Sequence, residues 1–156
     1  MILLELIEEP RVKVNLESGD KEELFEEMLD ILVRSGKIKD RRVALDALWG
    51  REKMGCTDIG KGVAIPHAKT SAVDELVVAV GISKDGIDYE SKQDEPVHLV
   101  FLMLATEDNP GLHIEALANI ATLIETPGLY RRLVDAKTAK EVMDVLVAEA
   151  KERMND

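Results

Sequence analysis

Val97-His98-Leu99-Val100-Phe101-Leu102-Met103-Leu104-Ala105 is the stretch from which the fold is read. Only His98 interrupts it, and a short apolar run rich in branched and aromatic side chains is the pattern of a strand covered on both faces. Leu76 to Ile82, LVVAVGI, reads the same way. Strands hidden on both sides need helices above and below their sheet. Gly86 and Pro96 bracket a hairpin-length connection between the two runs, so at least one pair is expected to be antiparallel.

Upstream, Val12, Val14 and Leu16 alternate with Arg11, Lys13 and Asn15, the period of a half-buried first strand, and Ser18-Gly19 turns the chain. Asp20 stands three residues before Glu23, a capping-box spacing. Leu24, Phe25, Met28, Leu29 and Leu32 follow at helical intervals until Gly36. Asp40 is placed to cap a second helix, with Val43, Ala44, Ala47 and Leu48 as its apolar stripe and Trp49 near that face, running to about Met54. Gly55 to Gly62, GCTDIGKG, carries too many glycines for a regular element and reads as a loop leading into a strand at Val63 to His67.

Downstream, a helix is expected from about Gly111, after Asn109-Pro110, with Leu117, Ile120, Ala121 and Ile124 on one side and a stop at Pro127-Gly128. Leu129 to Asp135 is a short helix, and Thr138 to about Glu152 a longer one with Val142, Met143, Leu146 and Val147 buried. The order is strand, two helices, three strands, three helices. It predicts an α/β fold, a three-layer α/β/α sandwich with a mixed sheet.

The chain has 156 residues of which 46% are hydrophobic, enough for a single domain over residues 1–156. Asp and Glu number 31 against 20 Lys and Arg, and a net charge of -11 repels a phosphate backbone, so nucleic acid is not an expected partner. The longest apolar run is too short for a transmembrane segment. A single cysteine, Cys56, forms no internal disulfide, and the N-terminus lacks the basic flank and cleavage pattern of a signal peptide, so the expected location is cytoplasmic.

Three histidines rank differently by their settings. His67 follows Pro66, whose ring fixes its own φ and holds Ile65 extended, and the glycine-rich loop just upstream has amides free to cradle an anion. On the residues alone, His67 is either a nucleophile or a polar residue ending a strand. His113 sits in the first turn of a helix, on a stripe with Leu117, Ile120 and Ile124. It faces inward, either as a core histidine or beside an anion at the helix N-terminus. His98 reads as structural. Arg51 has a guanidinium suited to a phosphoryl group, or else is an arginine favoured at a helix C-terminus. Cys56 reads as a small buried hydrophobe rather than a reactive thiol. The Thr57 hydroxyl either meets a bound phosphate or orders the loop.

The run Arg51-Glu52-Lys53-Met54-Gly55-Cys56-Thr57-Asp58-Ile59-Gly60-Lys61-Gly62-Val63-Ala64-Ile65-Pro66-His67-Ala68 resembles the active-site segment of fructose/mannitol-type enzyme IIA domains of the bacterial sugar phosphotransferase system, including their nitrogen-regulatory branch. An arginine lead, a Thr-x-Ile-Gly-x-Gly loop and an Ile-Pro-His-Ala ending stand in one order, with a second histidine opening a later helix. The likeness extends over nearly the whole chain. It implies that His67 is phosphorylated, attacking through Nε2, that His113 lies beside it, and that Arg51 lines the same pocket. It implies transfer without a metal or other cofactor, from a phosphorylated HPr-like phosphocarrier. Cys56, Asp58 and Lys61 depart from the serine, small residue and asparagine more usual in the family. An inward acid would repel a phosphoryl group, so Asp58 is expected to point outward.

Two fates follow from the resemblance. Either His67 passes the group to a cysteine of a IIB domain that phosphorylates a sugar, or its phosphorylation state controls binding to a regulatory target protein. The lack of an attached IIB, IIC or HPr-like segment favours the regulatory branch. A metal-dependent hydrolase using His67 and His113 as ligands is the rival, weakened by the lack of a clear third ligand or of a short His-x-His spacing.

Overall fold

A computed structural model describes residues 1–155. A short helix α1 (Ile2–Leu6) and a 3-10 turn (Glu9–Arg11) precede β1 (Val12–Lys13), followed by α2 (Lys21–Arg34) and α3 (Arg41–Glu52). Then come β2 (Asp58–Gly60), β3 (Val63–Ala64), β4 (His67–Lys69), β5 (Val77–Ile87) and β6 (Val97–Ala105), and finally α4 (Pro110–Glu125), α5 (Leu129–Val134) and α6 (Ala139–Asn155).

The six-stranded sheet runs β1-β5-β6-β3-β2, with β4 also on β6. The long central pair β5 and β6 is antiparallel, while β1 on β5 and both β3 and β4 on β6 are parallel. The mixed sheet read from the two apolar runs is thus present, and helices cover both faces. Alternation along β6 divides the core. Leu99, Phe101 and Met103 pack with Ala116, Ile120, Leu129 and Leu146 from the C-terminal helices. Val100, Leu102 and Leu104 pack with Leu24, Phe25, Met28 and Leu48 from α2 and α3 on the other face.

Both helix starts read from acids are capped as expected: Asp20 accepts from the Glu23 amide at 2.8 Å, and Asp40 from that of Val43 at 3.2 Å. Several local expectations are revised. In α3 the buried stripe takes Leu45 in place of Val43, which is exposed, and in α6 Val147 is exposed while Glu149 is buried. Arg11, read as the solvent side of the first strand, is buried because its guanidinium donates to the Val78 and Leu6 carbonyls. β5 runs on to Ile87, past the expected end at Ile82. The loop before His67 contains β2, antiparallel to β3.

The strand expected over Val63 to His67 is two pieces, β3 and β4, on the same edge of β6. Pro66 has no N–H to give to a ladder. The Ile65 amide points away from β6 and continues the β2–β3 pairing, donating to the Thr57 carbonyl at 2.9 Å. This bond ties the glycine-rich loop to the strand that carries His67.

Candidate functional site

His67 opens β4 on the face of the sheet that α4 covers, and His113 lies in the first turn of α4. Their ring centroids are 5.3 Å apart, nearly edge to face. Asn109 caps the helix through the Leu112 amide, and the apolar side of α4 presses His113, Ala116, Ile120 and Leu123 into the core. That stripe is rotated from the expected one. Leu117 and Ile124 are half-buried and Ala121 is exposed, and all three line a cavity of about 400 Å³ with His67. The apolar side of α4 is wider than the core needs.

Arg51, Thr57, Asp58 and Lys61 line the same cavity. Arg51 lies in the last turn of α3 and donates through Nη1 to the Gly55 carbonyl at 2.9 Å, which holds it over the loop. Three consecutive residues, Gly60, Lys61 and Gly62, have left-handed φ values of 80°, 58° and 81°. Gly62 is further required because a Cβ there would overlap the Tyr130 hydroxyl. Asp58 departs from expectation: it does not turn wholly outward. Pairing of β2 with β3, Asp58 opposite Ala64, fixes its backbone in the cavity wall, and the side chain is half-buried.

The His67 ring is held by one hydrogen bond, Nδ1 to the Ile65 carbonyl at 2.6 Å. Since a carbonyl only accepts, Nδ1 carries the proton, and Nε2 keeps the lone pair. Burial pushes the pKa of His67 below the usual imidazole range, against the pull of the Ile65 carbonyl, and Arg51 lowers it further. His113 is also pushed down, by burial first and then by the positive charge that His67 and Lys69 can carry. Its Nε2 is buried and finds no hydrogen-bond partner among the described residues. Such an unpaired buried nitrogen is an exception in a folded interior, and His113 stands behind His67 rather than among the residues that line the cavity.

His98 behaves as a structural residue, its Nδ1 meeting the Ser83 carbonyl at 2.8 Å. Burial pushes the Cys56 thiol up, with the Asp58 carboxylate adding to the shift, which disfavours a thiolate. The Thr57 hydroxyl turns inward and donates to Glu52 at 2.6 Å, so it orders the loop. No group of three or more His, Cys, Asp or Glu side chains is arranged to hold a metal among the described residues, so no third ligand joins the two histidines.

Residues 5–149 match the family model described as phosphoenolpyruvate-dependent sugar phosphotransferase system, EIIA 2. The chain belongs to this family. As an EIIA 2 chain it is 40% identical over 146 residues to the fructose-specific EIIABC component of Bacillus subtilis, covering 94% of the chain and 23% of that protein's length. It is 32% identical over 148 residues to the nitrogen regulatory protein of Pseudomonas aeruginosa, covering 94% of the chain and 96% of that protein. In structure it resembles nitrogen regulatory protein IIA-Ntr from Neisseria meningitidis, with a TM-score of 0.80 and 27% identity over 94% of this chain and 99% of the other. EIIA 2 domains are phosphotransferase components that carry phosphohistidine, and a phosphocarrier role fits the arrangement of this EIIA 2 chain. No helix among the described residues is long and apolar enough to cross a membrane.

The residue that sequence reading missed in this EIIA 2 chain is Glu52. Its neighbours in sequence gave no sign of burial, yet its side chain is 3% exposed and ion-paired with Lys21 at 3.1 Å. The available signal was its place on α3: Glu52 lies four residues after Leu48 and so on the same face.

Proposed function

We propose that His67 accepts a phosphoryl group on Nε2 from a phosphorylated HPr-like carrier and passes it on, with the Arg51 charge offsetting that of the transferred oxygens and the neutral His113 ring supporting them by hydrogen bonding. The observation that carries this reading is the His67 Nδ1 bond to the Ile65 carbonyl, which leaves Nε2 as the nucleophilic nitrogen of a ring lining the cavity. In the transfer, the Nε2 lone pair forms the bond to phosphorus while the bond from phosphorus to the donor breaks. The ring keeps its Nδ1 proton, and the Ile65 carbonyl is the acceptor for the positive charge that develops there. A ring held below the usual imidazole range is neutral at pH 7 and ready to attack. Little covalent work remains, so positioning and electrostatics supply most of the rate.

For the onward step, the identity to the fructose-specific relative, 40% against 32% for the nitrogen regulatory one, favours delivery to a IIB cysteine and hence sugar phosphorylation. A regulatory role, in which phosphorylation alters binding to a target protein, is supported by the likeness to IIA-Ntr over nearly the full length of both chains. Both fates place the reaction in the cytoplasm.

The test is intact mass after incubation with phosphoenolpyruvate, enzyme I and HPr. The wild type is expected to gain one phosphoryl mass and His67→Ala none. A gain in His67→Ala equal to the wild type's overturns the assignment. Adding a IIB protein and its sugar then separates the fates: rapid loss of the phosphoryl group supports transport, and a stable phosphoprotein supports regulation.

A further inference from the structure

Behind the loop, a buried carboxylate is surrounded by donors. Glu52 Oε2 accepts from Lys21 Nζ at 3.1 Å and from the Thr57 amide at 3.0 Å. Its Oε1 accepts from the Thr57 hydroxyl at 2.6 Å, and Tyr89 Oη lies 2.6 Å from that hydroxyl and 3.3 Å from Oε1. The protons can be assigned. Thr57 has one hydroxyl proton and gives it to Glu52, so the Tyr89 proton goes to Thr57 Oγ1. Burial, with the Glu52 charge adding to it, pushes the Tyr89 phenol far above its ordinary range, which keeps Tyr89 a donor. Lys21 also lies over the Tyr89 ring, 4.5 Å from its centroid.

The chain of bonds continues to the nucleophile. The Thr57 carbonyl accepts from the Ile65 amide at 2.9 Å, and the Ile65 carbonyl accepts from His67 Nδ1 at 2.6 Å. Glu52 therefore grips both polar groups with which Thr57 can donate, and Thr57 in turn fixes the peptide units whose next carbonyl orients the imidazole. We propose that Glu52 and Thr57 are positioning residues for His67: together they set the orientation of the Ile65 carbonyl and, through it, the Nδ1–H tautomer that leaves Nε2 free.

A purely structural role would not need this arrangement. Replacing a buried ion pair by apolar side chains of similar volume is often neutral or favourable, so a core gains little from Lys21 and Glu52 as such. Here the carboxylate is used on one loop residue, and that residue is one hydrogen bond away from Ile65. The Glu52 charge also raises the proton affinity of His67, in opposition to Arg51 and burial.

The kinetic part of this claim rests on His67 being the phosphorylated residue, but the tautomer does not. The variants are Thr57→Val, isosteric and without the hydroxyl, and Thr57→Ser, which keeps it. Ring nitrogen chemical shifts of the unphosphorylated protein report the tautomer, and transfer from phospho-HPr reports the rate. In Thr57→Val the His67 ring is expected to become a mixture of Nδ1–H and Nε2–H forms, and transfer to slow by roughly ten- to a hundredfold. Thr57→Ser is expected to restore both. A folded Thr57→Val with a pure Nδ1–H ring and an unchanged rate overturns the proposal; should that variant not fold, Thr57→Ala is read in the same two ways. Because the tautomer is measured without a phosphoryl donor, failure of the wild type to be phosphorylated counts against the phosphocarrier reading alone, and the tautomer still decides the positioning claim.

Discussion

His67 and His113 are both pushed below the usual imidazole range, by burial first. Above the ordinary value of about 6.5 both rings are neutral in the folded and the unfolded chain. Between that value and the lower folded one, the unfolded chain binds more protons, so stability falls as the pH drops through this window. Chemical denaturation from pH 8 to 5 is expected to show a flat region and then a decline below about 6.5 that is smaller in His113→Ala. The rate of phosphoryl acceptance is expected to hold level to lower pH than a free imidazole would. His113→Ala is expected to slow transfer while the added mass stays on His67. Asp58 stands in the cavity wall, where its charge opposes a phosphoryl group. Asp58→Asn is therefore expected to lengthen the half-life of the phosphoprotein several-fold, read by intact mass over time.

On the residues alone His67, His113 and Arg51 each keep a structural alternative; what the local settings foreshadowed is their placement, with the two rings 5.3 Å apart and Arg51 lining the cavity with His67. Sequence alone could not show that the Thr57 hydroxyl turns to Glu52 or that Asp58 stands half-buried in the cavity wall. Both outcomes depend on what lies across from the residue: Tyr89, far along the chain, in one case, and the β2–β3 register in the other.

Among elements, the turn between β2 and β3 bears most directly on the site. It places Lys61, a residue with a Cβ, at a left-handed φ of 58° between two left-handed glycines. Such a position costs a non-glycine residue about 1–2 kcal/mol, and a residue that adopts it readily relieves this cost. Lys61→Asn is expected to raise the denaturation midpoint slightly, since asparagine visits the left-handed region more readily than lysine. Gly62→Ala is expected to lower it, by about 1–2 kcal/mol for the backbone and by more for displacing the Tyr130 hydroxyl. Urea unfolding of the two variants checks both signs. Helix α2 was readable almost residue for residue, since its cap and stripe are local. Helix α1 was not: five residues are too few to show a period. It is held by tertiary contacts, with Leu3 buried and its amide donating to Asn119 Oδ1 at 3.0 Å. β2 escaped notice because its three residues include a glycine and the strand depends on its partner.

Across the whole molecule, β5 and β6 separate two cores that share one sheet. Phe101 is fully buried on the α4–α6 face and Phe25 is fully buried on the α2–α3 face. Truncating either to alanine is expected to cost about 3–5 kcal/mol. If the domain unfolds as one unit, both variants lose the entire structure in a single transition by circular dichroism and by Trp49 fluorescence; a separate Trp49 transition in Phe25→Ala would mean that the two faces melt apart. The two-faced burial was legible in Val97 to Ala105, since each side of that strand is apolar. Which helices lie on which face was not, because an apolar stripe does not record which side of a sheet it covers.

The sheet ends in stubs. β1 has two residues, and β2 and β4 have three each, one of them entered directly from a proline. Open strand edges are templates on which identical chains add to one another and aggregate, and length is what makes them effective. With β5 and β6, at the centre, as the only long strands among the described residues, the sheet offers another copy almost no ladder to extend. On the β3 side the Ile65 amide is already engaged by the Thr57 carbonyl, so a second copy finds that outward donor taken as well.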